Sequence, residues 1–234
     1  MQTPNANTPV SRLVPSVRFL LAALAQLVTT RDLVPTLQGS FDAFLAAVTA
    51  TVAAGDATIQ PRVAVRFAER ELEVGIRALF LAAQTLDGGK PGGRIGSALF
   101  PNGLTAVVSP QTAEQIAVAK QLVDRLMAQE SATPLRATHE PVLRAAIDRM
   151  SHAIDSRDAA VAAYDTALAR QSATRDALVR TYDSIANTIR SRFPKDRAQQ
   201  DVFFDVLRAS KKDDTSDATD PAVPPAATNG TPAA

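Results

Sequence analysis

Leu143 to Leu168 reads LRAAIDRMSHAIDSRDAAVAAYDTAL, and its apolar residues decide the fold. Leu143, Ile147, Met150 and Ile154 are separated by alternating steps of four and three, and Val161, Tyr164 and Leu168 continue the series. The same ladder runs on through Leu178, Tyr182, Ile185, Ile189 and Phe193. Such steps return to one face of an α-helix, and holding them over about seven heptads is the spacing of a coiled coil. Pro141 is expected to open this helix and Phe193-Pro194 to close it. A helix of ~53 residues at 1.5 Å rise is a rod of roughly 80 Å, too long for an ordinary compact globule. The ladder has polar gaps at Arg157, Gln171 and Arg175. They fall where a partner helix ends or the rod is exposed, or they specify register and oligomeric state, as polar core positions do in coiled coils.

Helical spacing also governs the residues before the ladder. Val10 to Val28 forms an apolar helix, in which the run Phe19 to Val28 covers about half of the ~20 residues needed to span a bilayer and so reads as a buried face. Val34, Leu37, Phe41, Phe44, Val48 and Val52 repeat at three and four with Pro35 near the start, and Gly55-Asp56 is expected to end that pattern. From Ile59 to Leu86 the apolar stripe resumes through Val65, Ala68, Leu72, Ile76, Leu79, Ala83 and Leu86, with Arg66, Glu69, Arg70 and Glu73 on the other side. Residues 87–110 are too rich in Gly and Pro to stay helical, and Leu104–Val108 could form a short extended segment. A helix over about Thr112 to Glu130 follows, then a polar linker containing Pro134.

Together these patterns predict an all-α, elongated antiparallel helical bundle with one long coiled-coil-like helix. Residues 1–9 are expected to be a disordered N-terminus, 10–208 the bundle and 209–234 a disordered C-terminal tail. That tail has no aromatic residue and no large aliphatic except Val223, too little apolar surface to offset the entropy of ordering it.

Composition narrows the chemistry. The chain of 234 residues has no cysteine, which excludes disulfides, thiolate nucleophiles and sulfur-ligated metals. With 25 basic against 24 acidic residues it lacks the field of a dedicated nucleic-acid binder, so no nucleic-acid partner is expected. Most of its basic residues are Arg and most of its acids Asp, and with abundant Ala this reads as the codon bias of a GC-rich bacterial genome. The start, MQTPNANTP, has no basic segment leading into an apolar run, so a cytoplasmic protein is expected.

Four groups of residues are candidate sites. Asp196, Arg197 and Asp201, within Ser191–Asp205, offer a carboxylate pair with a guanidinium, as an acid–base enzyme would want. The alternative is punctuation: Pro194 stops the long helix, Asp196 caps the next with Gln199 three residues on, and Val202, Phe203, Val206 and Leu207 form that helix's apolar side. Punctuation is the favoured reading. The loop GGKPGGRIG at 88–96 departs from the phosphate-binding G-x-x-x-x-G-K-[ST] pattern and follows a helix, so it reads as a linker. His139 and His152 lie about 20 Å apart on one helix and cannot share a metal. Asp148, His152 and Asp155 share a face, yet the paired Glu-x-x-His motifs of di-iron bundles are absent, so a solvated stripe is expected. No catalytic residue, cofactor or metal is predicted.

Two Phe-Pro stops, at Phe100 and Phe193, are compatible with a duplicated helical hairpin. The combination of LFPNGLTAVV at 99–108 and RFPKDRAQQDVFFD at 192–205 resembles a group of uncharacterised bacterial all-helical proteins, over about residues 30–208. The resemblance implies an all-helical fold and carries no site residue. The reading that follows is a non-enzymatic structural or protein-interaction module that meets a protein partner, or itself, through the long helix. The rivals are a membrane-active protein resembling helical pore-forming toxins, in which Phe19–Val28 would emerge from the bundle, and an enzyme using the Asp196/Arg197/Asp201 corner.

Overall fold

The structure, a computed structural model, describes residues 4–5, 8–90, 92–110 and 112–204, and among them there is no strand. The elements are α1 (Val10–Gln26), α2 (Val34–Ala57), α3 (Ile59–Leu86), α4 (Arg94–Leu99), α5 (Thr105–Val108), α6 (Ala113–Ala128), α7 (Thr133–Arg192) and α8 (Arg197–Asp201), with 3₁₀ turns at Arg31–Leu33 and Glu130–Ala132. The fold is an all-α, elongated antiparallel bundle built on one long helix.

Two rods make its frame. The first is α2 and α3 joined almost without a break. Gly55-Asp56, expected to end the helix, lies inside it, and only Thr58 separates the two pieces, its hydroxyl donating to the Gly55 carbonyl at 2.7 Å. Pro61 explains the interruption, because it has no N–H to offer the carbonyl of Ala57. The second rod is α7, whose 60 residues exceed the expected length. It begins at Thr133, not at Pro141, and the segment expected as a polar linker is its first turn, with Pro134 at a start position where a missing N–H costs nothing. Pro141 sits inside the helix on an exposed side, so the carbonyl it leaves unpaired is open to water. At 1.5 Å per residue, α7 is a rod of about 90 Å.

The rods run antiparallel in a register that several contacts set. Ser40 meets Thr181 at 3.1 Å, Thr51 donates to the Ala167 carbonyl at 3.2 Å, and Arg149 pairs with Glu71 at 2.6 Å.

Two separate cores hold the frame, one at each end. At the first, α1 lays Leu13, Val17, Leu20 and Leu24 against Leu37, Phe41 and Phe44 of α2 and against Leu178, Tyr182, Ile185 and Ile189 of α7. The apolar run from Phe19 is thus mostly a packed face, with Leu20 and Leu24 fully buried, although Phe19 and Val28 are exposed. At the second, α4, α5 and α6 cover Leu72, Ile76, Leu79 and Ala83 of α3 and Leu143, Ile147 and Met150 of α7. Leu104–Val108, expected as extended, is mostly the short helix α5, with Val107 buried in this core. Each large aliphatic buried in this way contributes about 1.5–3 kcal/mol, which is what fixes α1 and α6 on the rods.

Of the segments expected to be disordered, 209–234 lies outside the described residues, as do Val206 and Leu207. Within 1–9, Pro4 is buried and the Thr8 carbonyl accepts from the Arg175 guanidinium. The two Phe-Pro stops share a backbone conformation, φ −123 and ψ 66 at Phe100 against φ −124 and ψ 60 at Phe193. The first, however, ends a six-residue helix and the second a 60-residue one, so the likeness is confined to the stop.

Candidate functional site

Between the two cores the described residues are only two helices thick, and this neck is the least ordinary feature of the fold. From Ser151 to Ala177 no residue of α7 is fully buried, and on the facing rod Thr51 is the only buried residue between Ala47 and Val65. The seam is made of small side chains: Thr51, Ala54, Gly55 and Thr58 face α7, and the Tyr164 ring lies on Gly55, where a Cβ would sit 3.4 Å from it. Small residues let the helix axes approach closely, and the aromatic ring fills the width that remains.

The apolar ladder of α7 resolves into two stripes on this frame. Leu143, Met150, Arg157, Tyr164, Gln171, Leu178 and Ile185 are heptad-spaced and face the first rod, as Leu143 against Gly75 and Tyr164 against Gly55 show. Ile147, Ile154, Val161, Leu168, Arg175, Tyr182 and Ile189 form the second stripe. Ile147 faces α6 beside Lys120 and Val123, Arg175 meets the chain leading into α1, and Tyr182 packs on Phe204 at 6.1 Å between ring centroids. This second stripe is therefore the bed of a third layer, and among the described residues no third helix lies on it over the neck: Val161 and Leu168 are 42% and 46% exposed. The first rod repeats the arrangement. Leu45 and Val48 pack against the first core and Phe80 packs edge-on to Phe100, while Val52 and Ile59 between them are 60% and 57% exposed.

The polar gaps follow the same geometry. Arg157 and Gln171 lie half-buried at the seam, Arg157 pairing with Asp158 at 2.8 Å. Arg175 sits at the edge of the first core, where its guanidinium donates to Thr8 and its Nε, buried, has no partner among the described residues.

Most of the other charged clusters complete helix ends. Asp87 is the clearest. Its carboxylate accepts from the N–H groups of Ile95 at 3.0 Å and Gly96 at 2.8 Å, so the N-terminus of α4 already holds an anion supplied by the chain itself. A Cβ on Gly93 would lie 2.4 Å from the Asp87 side chain, which accounts for at least one glycine of the loop 88–96. Arginines do the converse at C-termini: Arg125 donates to the Leu99 carbonyl at the end of α4, and Arg136 to those of Leu126 in the last turn of α6 and Gln129 just after it. Arg31 and the buried Thr30 hydroxyl close α1 through the carbonyls of Ala25 and Leu24. Arg192 grips Asp32 through both nitrogens, at 2.7 and 2.6 Å, and this bonding holds the Asp32 carboxyl below its ordinary value.

The Asp196 corner is organised as a cap. Asp196 accepts the Gln199 N–H at 2.9 Å, and Gln200 reaches back to the Phe193 carbonyl at 2.6 Å. Arg197 and Asp201 are exposed, and so is Val202, which was expected on the buried side. Phe203 and Phe204 carry the burial, Phe203 stacking on Phe193 with centroids 6.0 Å apart.

Asp148, His152 and Asp155 stand exposed along α7, and among the described residues no three His, Asp or Glu come together as metal ligands. His139 is half-buried, and loss of solvent pushes its ring below the ordinary value of 6.5, favouring the neutral form. One described helix, Arg31–Leu86, is long and apolar enough to cross a membrane, with a window of mean hydropathy 1.3. That is a different segment from Phe19–Val28. Compared with known protein families, curated proteins and solved structures, the chain matches none.

Proposed function

We propose that the protein is a non-enzymatic interaction module, a rigid spacer that carries a helical lobe at each end of a two-helix neck and binds other protein through the neck's bare face. The observation that carries this reading is the bed left uncovered among the described residues at Val52, Ile59, Val161 and Leu168, on two rows that the cores cover further along at either end. Apolar rows bared on one face and flanked by charge mark interaction surfaces. The use of Asp87, Arg125, Arg136, Arg192 and Asp196 as caps and braces also supports it, because these charged groups already serve the fold.

A photo-reactive residue at Leu168, in the protein expressed in its own cell, tests the reading. It predicts one or a few discrete cross-linked protein species, and a ladder no different from that of a reactive residue at Arg170, on the opposite side of α7, would refute it. A second reading, a membrane-active helical protein in the cell envelope, is favoured by the apolarity of the Arg31–Leu86 rod. It predicts dye leakage from anionic liposomes, which the spacer does not cause.

A further inference from the structure

We infer that the occupant of the neck's bare face is a second copy of this chain, the two necks crossing at about a right angle like clasped hands; this deepens the interaction-module reading and rests on it. The register set by Gly55 on Tyr164 brings Val52 level with Leu168 and Ile59 level with Val161, so the four exposed side chains form one floor across both helices. The lobes rise from this same side at either end, since on the row of Val52 and Ile59 the side chains of Leu45 and Val48 pack into the first core, and Phe80 packs edge-on to Phe100 just past α4. Two copies laid parallel or antiparallel would meet lobe to lobe before their necks touched.

A crossed copy fits. The floor runs from Val52 to Arg66, about 14 residues or ~21 Å along the rod, and two helices side by side are ~20 Å across. Crossing such floors buries on the order of 800 Å² in total, the size of a weak, reversible contact rather than a permanent dimer.

Charge selects the same partner. At one corner of the floor α3 presents the exposed Arg62 and Arg66, and at the diagonally opposite corner α7 presents the exposed Asp165. A two-fold axis along the other diagonal, from Val52 towards Val161, sets Arg66 of each copy over Asp165 of the other, twice per dimer. The floor is thus complementary to itself, as an isologous interface must be.

Sedimentation velocity on the full chain, from roughly 5 to 300 µM, tests this. The clasp predicts a mass that climbs reversibly from one chain to two. Leu168→Glu and Asp165→Arg should each weaken the dimer by about tenfold or more, and Arg66→Asp combined with Asp165→Arg should recover most of the loss. All three positions are exposed, and unchanged helical circular dichroism checks that the variants fold. A monomer at every concentration overturns the clasp, as does a dimer indifferent to these changes. A monomer that dimerises only when residues 205–234 are removed assigns the floor to the chain's own end and equally overturns it. Discrete cross-links from Leu168 to another protein, with no dimer, would refute the second copy while sustaining the interaction module; absence of both defeats the two together.

Discussion

Truncating Phe203 to Ala separates punctuation from chemistry at the end of the long rod. Phe203 is 1% exposed, stacks on Phe193 and belongs to the core that holds α1 against α7. A buried phenylalanine removes on the order of 150–200 Å² from water, worth roughly 4–5 kcal/mol at 25 cal/mol per Å². Measured losses for such truncations are about 3–5 kcal/mol, because the site collapses only in part. Asp196 makes a single capping bond to Gln199 and is exposed, so Asp196→Ala should cost only about 1 kcal/mol. Asp201 is exposed, and Asp201→Asn should be nearly neutral. Urea unfolding followed by circular dichroism ranks the three. An order of Phe203→Ala far below Asp196→Ala, with Asp201→Asn close to the unaltered protein, is expected. Were Asp196→Ala or Asp201→Asn instead to stabilise the protein by more than about 1 kcal/mol, the carboxylates would be held at a cost to folding, as functional groups are, and the cap account would fail.

Further outcomes follow from the loop, the neck and the first turn. Gly93→Ala must push the Asp87 carboxylate off α4, so it and Asp87→Ala should each lose about 1–2 kcal/mol, with little further loss in the double variant because both remove the same cap; additive losses would contradict this. Gly55→Ala should be neutral or up to about 1 kcal/mol stabilising, since its Cβ meets Tyr164 at an ordinary 3.4 Å and alanine favours the helix, whereas Gly55→Leu should cost about 1–3 kcal/mol by prising the rods apart; equal thermal midpoints for the two would refute the tight seam. Arg192 lowers the Asp32 carboxyl in the folded state below its ordinary 3.8, so the stabilisation is fully present above that value and fades as pH falls through the lower, folded one. Asp32→Asn should therefore unfold earlier than the unaltered protein in denaturant near pH 6, and the gap should shrink below about pH 4; a gap that widens in acid would reverse the sign and sink the argument.

Much of this architecture was legible in the spacing of single residues. The four-and-three ladder from Leu143 to Phe193 announced the long helix, because a sustained heptad has no other regular solution. Asp196 and Gln199 announced their cap, being local in sequence. What the ladder could not reveal is that its members serve two different neighbours, one row facing the first rod and the other packing into the two cores at its ends. Identical spacing arises in both rows, and only the placement of α1 and α6 tells them apart. Local propensity also misled. Leu104–Val108 holds three β-branched residues in five and lies between prolines, yet tertiary packing of Val107 makes it mostly helical, and Pro141 broke nothing because the carbonyl it leaves unpaired faces water. The cap on α4 was hidden for a further reason: Asp87 bonds an N–H eight positions further on, beyond the reach of any capping signature.

In the spacer proposed above, one stiff rod running on through Thr58–Pro61 keeps the two lobes apart. Without cysteine in the chain, two introduced at the exposed Gln38 and Thr85 are the only thiols to carry spin labels. Pulsed dipolar spectroscopy, with labelled chains diluted in unlabelled protein, then reads the distance between the ends of α2–α3 directly. Forty-seven residues of helix at 1.5 Å each predict a narrow distribution centred near ~70 Å. A broad distribution, or a centre below about 50 Å, would mean that the rod bends at its single interruption and that no neck holds the lobes apart.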